Sequence, residues 1–325
     1  MPEARTPGTG PALGIDLGGT KIEAQLLDSA GQTLWRQRVP TPADDYTATV
    51  RAVAALAQAA RNIAGGVAGG TAFGAITVGV GSPGAPGQGG RMKNCNSTCL
   101  NGQPLHADLQ TALGQPVALA NDADCLALSE ATDGAGTGAA VVFAVILGTG
   151  TGAGIAVQGR VLQGPNGLAG EWGHNPLPWA DAVADLPARC YCGQSGCLET
   201  WLSGSGLARD HLSVTGVALR GEDIAARAAA GDVSCAATLE RHAHRLARGL
   251  ASVVNLLDPN VVVLGGGVSR LPGLLPRVQA LWGRWVFGAA QDGPVRTALR
   301  LSAHGDASGV RGAAWLGRQQ AVRLG

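Results

Sequence analysis

Short apolar runs alternate along the chain with longer amphipathic stretches, a pattern typical of a mixed α/β fold. Apolar or alternating segments predict strands over residues 13–17, 22–27, 33–39, 75–80, 117–120, 140–147 and 261–264. Helical spacing of apolar side chains predicts helices over residues 46–63, 123–131, 223–230, 234–257 and 308–316. A cluster of glycines predicts a flexible break at residues 65–70. We expect His242 and His244, which lie among arginines on the long helix, to be solvated.

A glycine-containing turn separates the first two predicted strands. It reads Asp16-Leu17-Gly18-Gly19-Thr20-Lys21. Glycines let backbone N–H groups approach an anion, Thr20 and Lys21 add donors, and Asp16 could hold Mg²⁺ through water. The composition is that of a phosphate-binding loop, although it matches neither the Walker A nor the Rossmann pattern. A simple hairpin turn is the alternative interpretation.

The same arrangement recurs in the second half of the chain. The strand predicted over 140–147 runs into Gly148-Thr149-Gly150-Thr151-Gly152, after which the chain continues extended. Two strand–turn–strand units, one in each half, predict an internally duplicated fold whose turns face one nucleotide from opposite sides. Chance recurrence in a chain with 51 glycines is the alternative. Gly265-Gly266-Gly267 follows another strand, either to support a base or ribose or as a tight turn.

A group of cysteine and histidine side chains, bracketed by two acids, is typical of a metal site. The group runs from Glu171-Trp172-Gly173-His174 to Cys190, Cys192, Cys197 and Glu199. One histidine and three cysteines supply the four N and S ligands of a tetrahedral structural zinc. If zinc fixes this loop, Glu171 and Glu199 are held where they could bind a polar substrate.

Another acid follows a predicted strand directly. Asn121-Asp122 ends the segment 117–120 and precedes a helix. A carboxylate at such a strand end can accept the proton of a substrate hydroxyl. The alternative is that Asp122 or Asp124 only caps the helix.

Length, charge and cysteine content narrow the class of protein. The 325 residues fit about two domains, which we place at 1–120 with a C-terminal helix at about 308–325, and at 121–307 with the zinc loop. A net charge of +1 gives no basic surface for nucleic acid or anionic lipid, and no apolar run is long enough to span a membrane. The N-terminus lacks a secretory signal, so we expect a cytoplasmic protein with reduced thiols. Seven cysteines, three of them clustered, favour metal binding over disulfides.

Taken together and in this order, these motifs resemble the ROK family of sugar kinases, over about residues 13–316. The resemblance implies the duplicated two-domain α/β fold of sugar kinases and actin-like ATPases, ribonuclease H-like, with a cleft between the domains and a homodimer. Within the family, the chain looks most similar to bacterial fructokinases of the manno(fructo)kinase type. That similarity rests on three stretches: Asn96-Ser97-Thr98-Cys99-Leu100-Asn101-Gly102, Asn175-Pro176-Leu177-Pro178-Trp179 and residues 304–316.

The resemblance also implies a role for each motif. Asp122 would be the general base, and the sugar would be held by Asn121, Glu171, His174 and Glu199. ATP and Mg²⁺ would be bound by Asp16, Gly18, Gly19, Thr20, Lys21, Gly148, Gly150, Thr151, Gly265 and Gly266. Structural zinc would be bound by His174, Cys190, Cys192 and Cys197. Zinc on one ring nitrogen of His174 would fix the tautomer at the other, which would face the sugar.

The expected activity is therefore ATP-dependent phosphorylation of the 6-hydroxyl of fructose, with mannose or glucose as possible further substrates. A glucokinase or an N-acetylglucosamine kinase of the same family is the alternative. A sugar-responsive repressor is less favoured, because only residues 1–12 precede the first strand and no DNA-binding domain fits there. The span from Asn175 to Arg189 looks like an insertion, and we expect it to form a lid or part of a dimer contact.

Overall fold

Residues 10–67 and 76–324 are described by a computed structural model. The strands are β1 Ala12–Leu17, β2 Lys21–Leu27, β3 Thr33–Pro40, β4 Thr77–Ser82, β5 Ala85–Pro86, β6 Met92–Lys93, β7 Ala118–Asn121, β8 Val141–Leu147, β9 Thr151–Val157, β10 Arg160–Val161, β11 Val261–Gly265 and β12 Ala298–Leu301. The helices are α1 Tyr46–Val67, α2 Leu105–Leu113, α3 Asp122–Thr132, α4 Glu199–Leu202, α5 Gly204–Thr215, α6 Gly221–Ala229, α7 Val233–Leu257, α8 Leu274–Leu281, α9 Ala289–Asp292 and α10 Ser308–Leu324.

Most predicted elements are confirmed within a few residues of their expected ends. The flexible break expected at residues 65–70 is wrong for its first part, because α1 continues through Gly65 to Val67. The rest of that segment lies outside the described residues.

Two five-stranded sheets repeat one topology. Their strand orders are β3-β2-β1-β4-β7 and β10-β9-β8-β11-β12. In each sheet a hairpin pairs antiparallel, β1 with β2 and β8 with β9. The strands that follow are parallel, β4 and β7 in the first sheet and β11 and β12 in the second. The internal duplication predicted from the two glycine turns is therefore confirmed, as is the α/β class.

The chain divides into two compact units. The second comprises Gly134–Arg160 and Gly170–Asp306, and the first comprises the remaining described residues. The structural division after Asp133 differs from the expected boundary at residue 120, and it assigns α3 to the first unit. The short segment Val161–Ala169 also belongs to the first unit.

Close packing of α10 explains why α3 belongs to the first unit. An ideal Cβ built on Gly14 of β1 would lie 1.9 Å from the Val310 carbonyl oxygen, and one on Gly79 of β4 would lie 1.9 Å from that of Ala313. On α10 itself, a Cβ at Gly312 would lie 1.7 Å from the Cys125 carbonyl oxygen of α3. Glycine lets the backbones of the helix, the sheet and α3 approach one another at these points.

Each unit has its own hydrophobic core. In the first, leucine, isoleucine and valine side chains of β1, β2 and β4 pack against α1 and α2. In the second, β8 and β11 pack against α7 and α8, with Trp172, Trp201 and Trp282 filling the space between them.

The central position of α7 overturns one expectation. His242 is only 1% exposed, and one of its ring nitrogens, Nε2, lies 3.1 Å from the Leu202 carbonyl oxygen. Burial lowers the pKa of His242 to about 4, so this ring is neutral near pH 7. The prediction of a solvated side chain was wrong for His242, because α7 is covered on more than one side. It holds better for His244, which is partly exposed and lies beside Glu240.

Candidate active site

The first glycine turn has the predicted strand–turn–strand form. The Gly18 amide donates to the Lys21 carbonyl at 3.0 Å, closing the turn between β1 and β2. Thr41 supports it from the end of β3, since its hydroxyl donates to the Gly18 carbonyl at 2.7 Å. Gly19, Thr20 and Lys21 are exposed. An exposed turn with a fixed backbone offers donors to an anion without further rearrangement.

Asp16 lies at the carboxyl end of β1, directly before this turn. Burial, together with the negative charges of Asp122 and Glu23, raises the pKa of Asp16 to about 7. Asp16 and Asp122 are thus close enough to repel, an arrangement that a divalent cation would relieve. The amino end of α10 also lies here, since an ideal Cβ on Gly309 would be 3.5 Å from the Asp16 carboxylate.

Capping of α3 is performed by Asn121 and not by either aspartate considered from the sequence. The Asn121 side-chain oxygen accepts from the Asp124 amide at 2.6 Å. Asp122 is the first residue of the helix, and its carboxylate accepts a local bond from the Ala123 amide at 2.8 Å. Because Asp122 is exposed, its carboxylate is accessible to a substrate hydroxyl.

The polar loop before α2 packs beside the first turn. The Asn101 side chain is used internally, since its oxygen accepts from the Cys95 amide at 2.9 Å and its amide donates to the Cys95 carbonyl at 3.0 Å. Ser97 lies against the turn, with its hydroxyl oxygen 3.3 Å from an ideal Cβ on Gly19. The loop therefore carries both turn residues that bond to their own backbone and a hydroxyl next to the first glycine turn.

In the second unit, the matching turn contacts the segment that carries Glu199. The Thr151 amide donates to the Glu199 carboxylate at 3.0 Å, and the Gly204 amide donates to the Gly148 carbonyl at 2.8 Å. The Ser205 hydroxyl donates to the Thr149 carbonyl at 3.2 Å. Three contacts thus connect α4 and the start of α5 to the turn. Glu199, expected to hold sugar, thus also contacts the second glycine turn.

Trp172 and Gly173 explain how the Glu171-Trp172-Gly173-His174 segment is fixed. Trp172 is buried, with its indole N–H donating to the Gly249 carbonyl of α7 at 3.3 Å. Gly173 packs on the second turn, where a Cβ would lie 1.9 Å from the Thr151 carbonyl oxygen. Glu171 and His174, on either side of this anchor, remain partly exposed.

The predicted metal ligands come together. The ligand atoms of His174, Cys190, Cys192 and Cys197 all lie within 4.8 Å of one another. The Cys192 and Cys197 sulfurs are 3.6 Å apart, and His174 Nδ1 is 3.6 Å from the Cys190 sulfur. Tetrahedral zinc, with bonds of about 2.3 Å to sulfur and 2.0 Å to nitrogen, separates its ligand atoms by about 3.5–3.8 Å. The residues therefore fit a tetrahedral zinc ion.

Tyr191 is a residue of this site that the sequence analysis did not single out. Its hydroxyl lies 3.1 Å from His174 Nε2, the ring nitrogen expected to face the sugar, and the two rings meet edge to face at 5.2 Å. Although much of the side chain is exposed, partial desolvation, with the negative charges of Glu199, Cys190 and Glu171, raises the pKa of Tyr191 to about 12. Its position between two predicted metal ligands, Cys190 and Cys192, is the signal in the sequence that could have identified it.

The span from Asn175 to Arg189 is bound to α7 by buried ion pairs. The Asp185 carboxylate accepts from Arg245 and from Arg248, each at 2.8 Å. Burial alone would raise the pKa of Asp185, but hydrogen bonds from the Asp181 amide, Arg245 and Arg248 outweigh it and lower that pKa. Arg248 also donates to the Trp179 carbonyl at 2.6 Å. These contacts hold the span against α7, which argues against the expected lid. The outer side of the span is exposed, with Val183 84% accessible, as the expected dimer contact would require.

In the third glycine cluster, Gly265-Gly266-Gly267, the backbone structure itself requires glycine at one position. Gly266 has φ +82°, and a Cβ there would lie 2.3 Å from the Leu147 carbonyl oxygen. The tight-turn interpretation therefore accounts for Gly266. Beside Gly267 no described atom lies within 4 Å of an ideal Cβ, so a flat group has room there.

Comparison with known proteins assigns the family. The model of the ROK family matches residues 12–320, nearly the whole chain. The chain is a sugar kinase of the ROK family. An N-acetyl-D-glucosamine kinase of Escherichia coli O6:H1 is 39% identical over 310 residues, covering 93% of this chain and 98% of that protein.

Two solved ROK structures share the fold over almost their full length. A ROK hexokinase from Thermus thermophilus has a TM-score of 0.82 and 33% identity, covering 97% of this chain and 100% of that one. A ROK glucokinase from Streptomyces griseus, solved with glucose and AMPPNP, has a TM-score of 0.73 and 29% identity over 95% of this chain and 100% of that one. The expectation of a ROK sugar kinase is confirmed. Among the described residues of this ROK chain, no helix is both long and apolar enough to cross a membrane.

Proposed function

We propose that this ROK kinase transfers the γ-phosphoryl group of ATP to the 6-hydroxyl of fructose. The sugar oxygen forms a bond to the γ-phosphorus as the bond to the β-phosphate oxygen breaks, so ADP leaves and the hydroxyl proton goes to a base. Asp122 is the proposed base. The observation that carries the proposal is an exposed carboxylate at the start of α3, close enough to Asp16 at the carboxyl end of β1 for the two charges to repel.

The remaining roles follow the positions of the side chains. Asn121 caps α3 through its side-chain oxygen, which leaves the amide group to donate to a sugar hydroxyl. Glu171, His174 and Glu199 are proposed as the other sugar ligands. Gly18, Gly19, Thr20, Lys21, Gly148, Gly150 and Thr151 are proposed to bind phosphate, Gly265 and Gly266 to lie near adenosine, and Asp16 to organise Mg²⁺ through water.

Zinc is proposed to be structural. His174, Cys190, Cys192 and Cys197 would hold it, and it would supply folding energy and fix the orientation of the His174 ring. No proton or phosphoryl transfer is assigned to the metal. A homodimer and a cytoplasmic location remain proposals that follow from family membership.

Fructose is the first candidate because of two loops. Asn96–Gly102 resembles the fructokinase sequence and packs beside the first phosphate turn, through Ser97 and Gly19. Asn175–Trp179, the second such stretch, starts directly after the metal ligand His174. The first stretch thus adjoins the proposed phosphate turn, and the second adjoins the proposed sugar ligand His174, where sugars would be discriminated.

N-acetylglucosamine is the second candidate, favoured by the 39% identity to N-acetyl-D-glucosamine kinases over 93% of the chain. Sugars of this size differ by single substituents, and loop geometry decides among them. We expect kcat/KM to be highest for fructose when fructose, mannose, glucose and N-acetylglucosamine are compared with ATP and Mg²⁺. A higher value for N-acetylglucosamine would move the assignment to the second candidate.

The base is tested with Asp122→Asn, which keeps the size of the side chain and removes its basicity. We expect kcat to fall by about 10²- to 10⁴-fold with little change in the KM for either substrate. Asp124→Asn, on the same helix turn, is the matched control and should retain most activity. Normal turnover by Asp122→Asn would show that another group takes the proton.

A further inference from the structure

The Glu199 carboxylate lies on the second phosphate turn itself. It accepts the Thr151 amide at 3.0 Å, and its Oε2 oxygen is 2.8 Å from an ideal Cβ on Gly150. The carboxylate therefore covers the backbone of Gly150 and uses the N–H of Thr151. Both residues belong to the proposed phosphate-binding set, so a nucleotide phosphate and this carboxylate would occupy the same place.

Two negative groups cannot share that place without a large cost. Like charges about 4 Å apart repel strongly in a partly buried environment. The Thr151 amide also has one hydrogen to donate, and an oxygen of Glu199 already accepts it. Nucleotide binding at this turn therefore requires the Glu199 side chain to move.

Glu199 is also placed to respond to sugar. It is the first residue of α4 and follows the metal ligand Cys197 by two positions, and the Thr200 amide donates to the Cys197 carbonyl at 2.9 Å. The main chain on its other side is fixed too, since the Ser203 hydroxyl donates to the Glu199 carbonyl at 2.8 Å. With the backbone held at both ends, the side chain is the part that can change partner.

We infer that Glu199 couples the two substrates: without hexose its carboxylate occupies the phosphate turn at Gly150 and Thr151, and hexose hydroxyls draw it away and open that turn to the nucleotide. The inference rests on the proposed function, in which Glu199 is a hexose ligand. It predicts that hexose and nucleotide tighten each other's binding by the same factor, as linkage requires. It also predicts that ATP is protected from hydrolysis while hexose is absent.

The test measures binding of a non-hydrolysable ATP analogue with Mg²⁺, in the absence and presence of saturating fructose or N-acetylglucosamine. For the wild-type protein we expect hexose to lower the Kd of the analogue roughly tenfold. Glu199→Gln removes the charge, so it should bind the analogue without hexose about as tightly as the wild type does with hexose. Adding hexose should then change the Kd of this variant for the analogue by less than about twofold, compared with about tenfold for the wild type.

Two further variants keep the result interpretable. Glu222→Gln, an exposed acid of α6, should behave as wild type. Glu199→Asp keeps the charge but withdraws the carboxylate from Thr151, so its hexose-free affinity for the analogue should also rise. This second variant decides the matter if Glu199→Gln fails to fold, as judged by zinc content and melting temperature.

The outcome that overturns the inference is a hexose-free analogue affinity in Glu199→Gln equal to or weaker than that of wild type. The proposed function fails differently. If no hexose is phosphorylated by the wild type, the kinase assignment is wrong, whereas the hexose-free comparison of wild type and variant still reports whether Glu199 obstructs the turn.

Discussion

The Tyr191 side chain lies where the predicted contact between His174 and a sugar would form. The family resemblance implies that His174 lies between metal and sugar. Its Nδ1 approaches the Cys190 sulfur, whereas its Nε2 lies 3.1 Å from the Tyr191 hydroxyl. Tyr191 is 75% exposed, so its side chain has room to leave. A hexose that binds His174 must therefore displace it.

We predict that Tyr191→Phe lowers the KM for the hexose by about threefold to tenfold, the value of one competing hydrogen bond. The KM for ATP and the zinc content should not change. Tyr46→Phe, which alters the only other tyrosine and lies in the first unit, serves as the control. An increase in the hexose KM would mean that the sugar binds the phenol instead of replacing it.

The raised pKa of Asp16 makes the free energy of unfolding depend on pH in a defined direction. Because burial, Asp122 and Glu23 raise the pKa of Asp16 to about 7, the folded protein holds this proton more tightly than the unfolded chain does. Ionised Asp16 therefore lowers the free energy of unfolding, and the loss develops as pH rises from about 4 through about 7. At pH 5 the folded-state carboxyl is largely protonated and most of this cost is absent.

We predict that Asp16→Asn raises the free energy of unfolding at pH 8, by at most about 4 kcal/mol, and that the gain becomes small at pH 5. Kinase activity should be lost at both pH values, because an amide cannot replace a carboxylate beside Mg²⁺. Thermal melts and turnover assays at the two pH values measure both effects. The exposed acid Asp292 provides the control variant Asp292→Asn, and a less stable Asp16→Asn protein at pH 8 would contradict the argument.

At the scale of elements, the closest packing in the first unit lies where α10 crosses β1, β4 and α3. The sequence predicts a last helix, and the structure extends it to Leu324. Glycine spacing alone did not indicate which neighbour α10 would approach. Gly312 decides this contact, because its Cα faces the Cys125 carbonyl with no room for a side chain.

We predict that Gly312→Ala costs about 1–3 kcal/mol or more, because the new methyl group would collide with backbone that cannot yield easily. Gly65→Ala is the matched control, since it also changes a helical glycine but meets no described atom within 4 Å. That control should be neutral or stabilise by up to about 1 kcal/mol. Urea unfolding of both variants tests the pair, and equal effects would refute the packing explanation.

For the whole molecule, the two separate cores predict that the units differ in their dependence on metal. The four proposed zinc ligands all belong to the second unit, whose core includes Trp172, Leu198 and Trp201 from the segments around them. The first unit has its own core and contributes none of the four ligands. Loss of metal should therefore weaken one unit and spare the other.

We predict that a strong chelator, or the substitution Cys192→Ser, speeds amide hydrogen exchange in residues 171–202, while the amides of β1 and β2 remain protected. Structural zinc sites contribute on the order of 10 kcal/mol, enough to unfold such a segment when it is removed. Cys99→Ser, in the first unit and outside the cluster, is the control. If metal analysis of protein never exposed to chelator finds no zinc, the ligand assignment fails.

The sequence by itself determined most of the elements and the duplication, and it supplied the groups that we propose for the chemistry. Apolar periodicity is a local property, and so are the glycine turns, which is why β1, β2, β8 and β9 could be placed from residue patterns alone. The cysteine spacing likewise limited the candidate metal ligands to His174 and three nearby thiols, and the structure brings their ligand atoms together.

Only the tertiary structure decided what depends on residues far apart in the chain. Burial of His242 beneath Leu202, the assignment of α3 to the first unit by α10, and the ion pairs of Asp185 with α7 all join segments separated by tens of residues or more. The contact of Glu199 with Thr151 is of the same kind, spanning 48 positions. Local pattern specifies which side chains are available, whereas packing specifies which of them meet, because hydrogen bonds and charges act over a few ångströms in space regardless of distance along the chain.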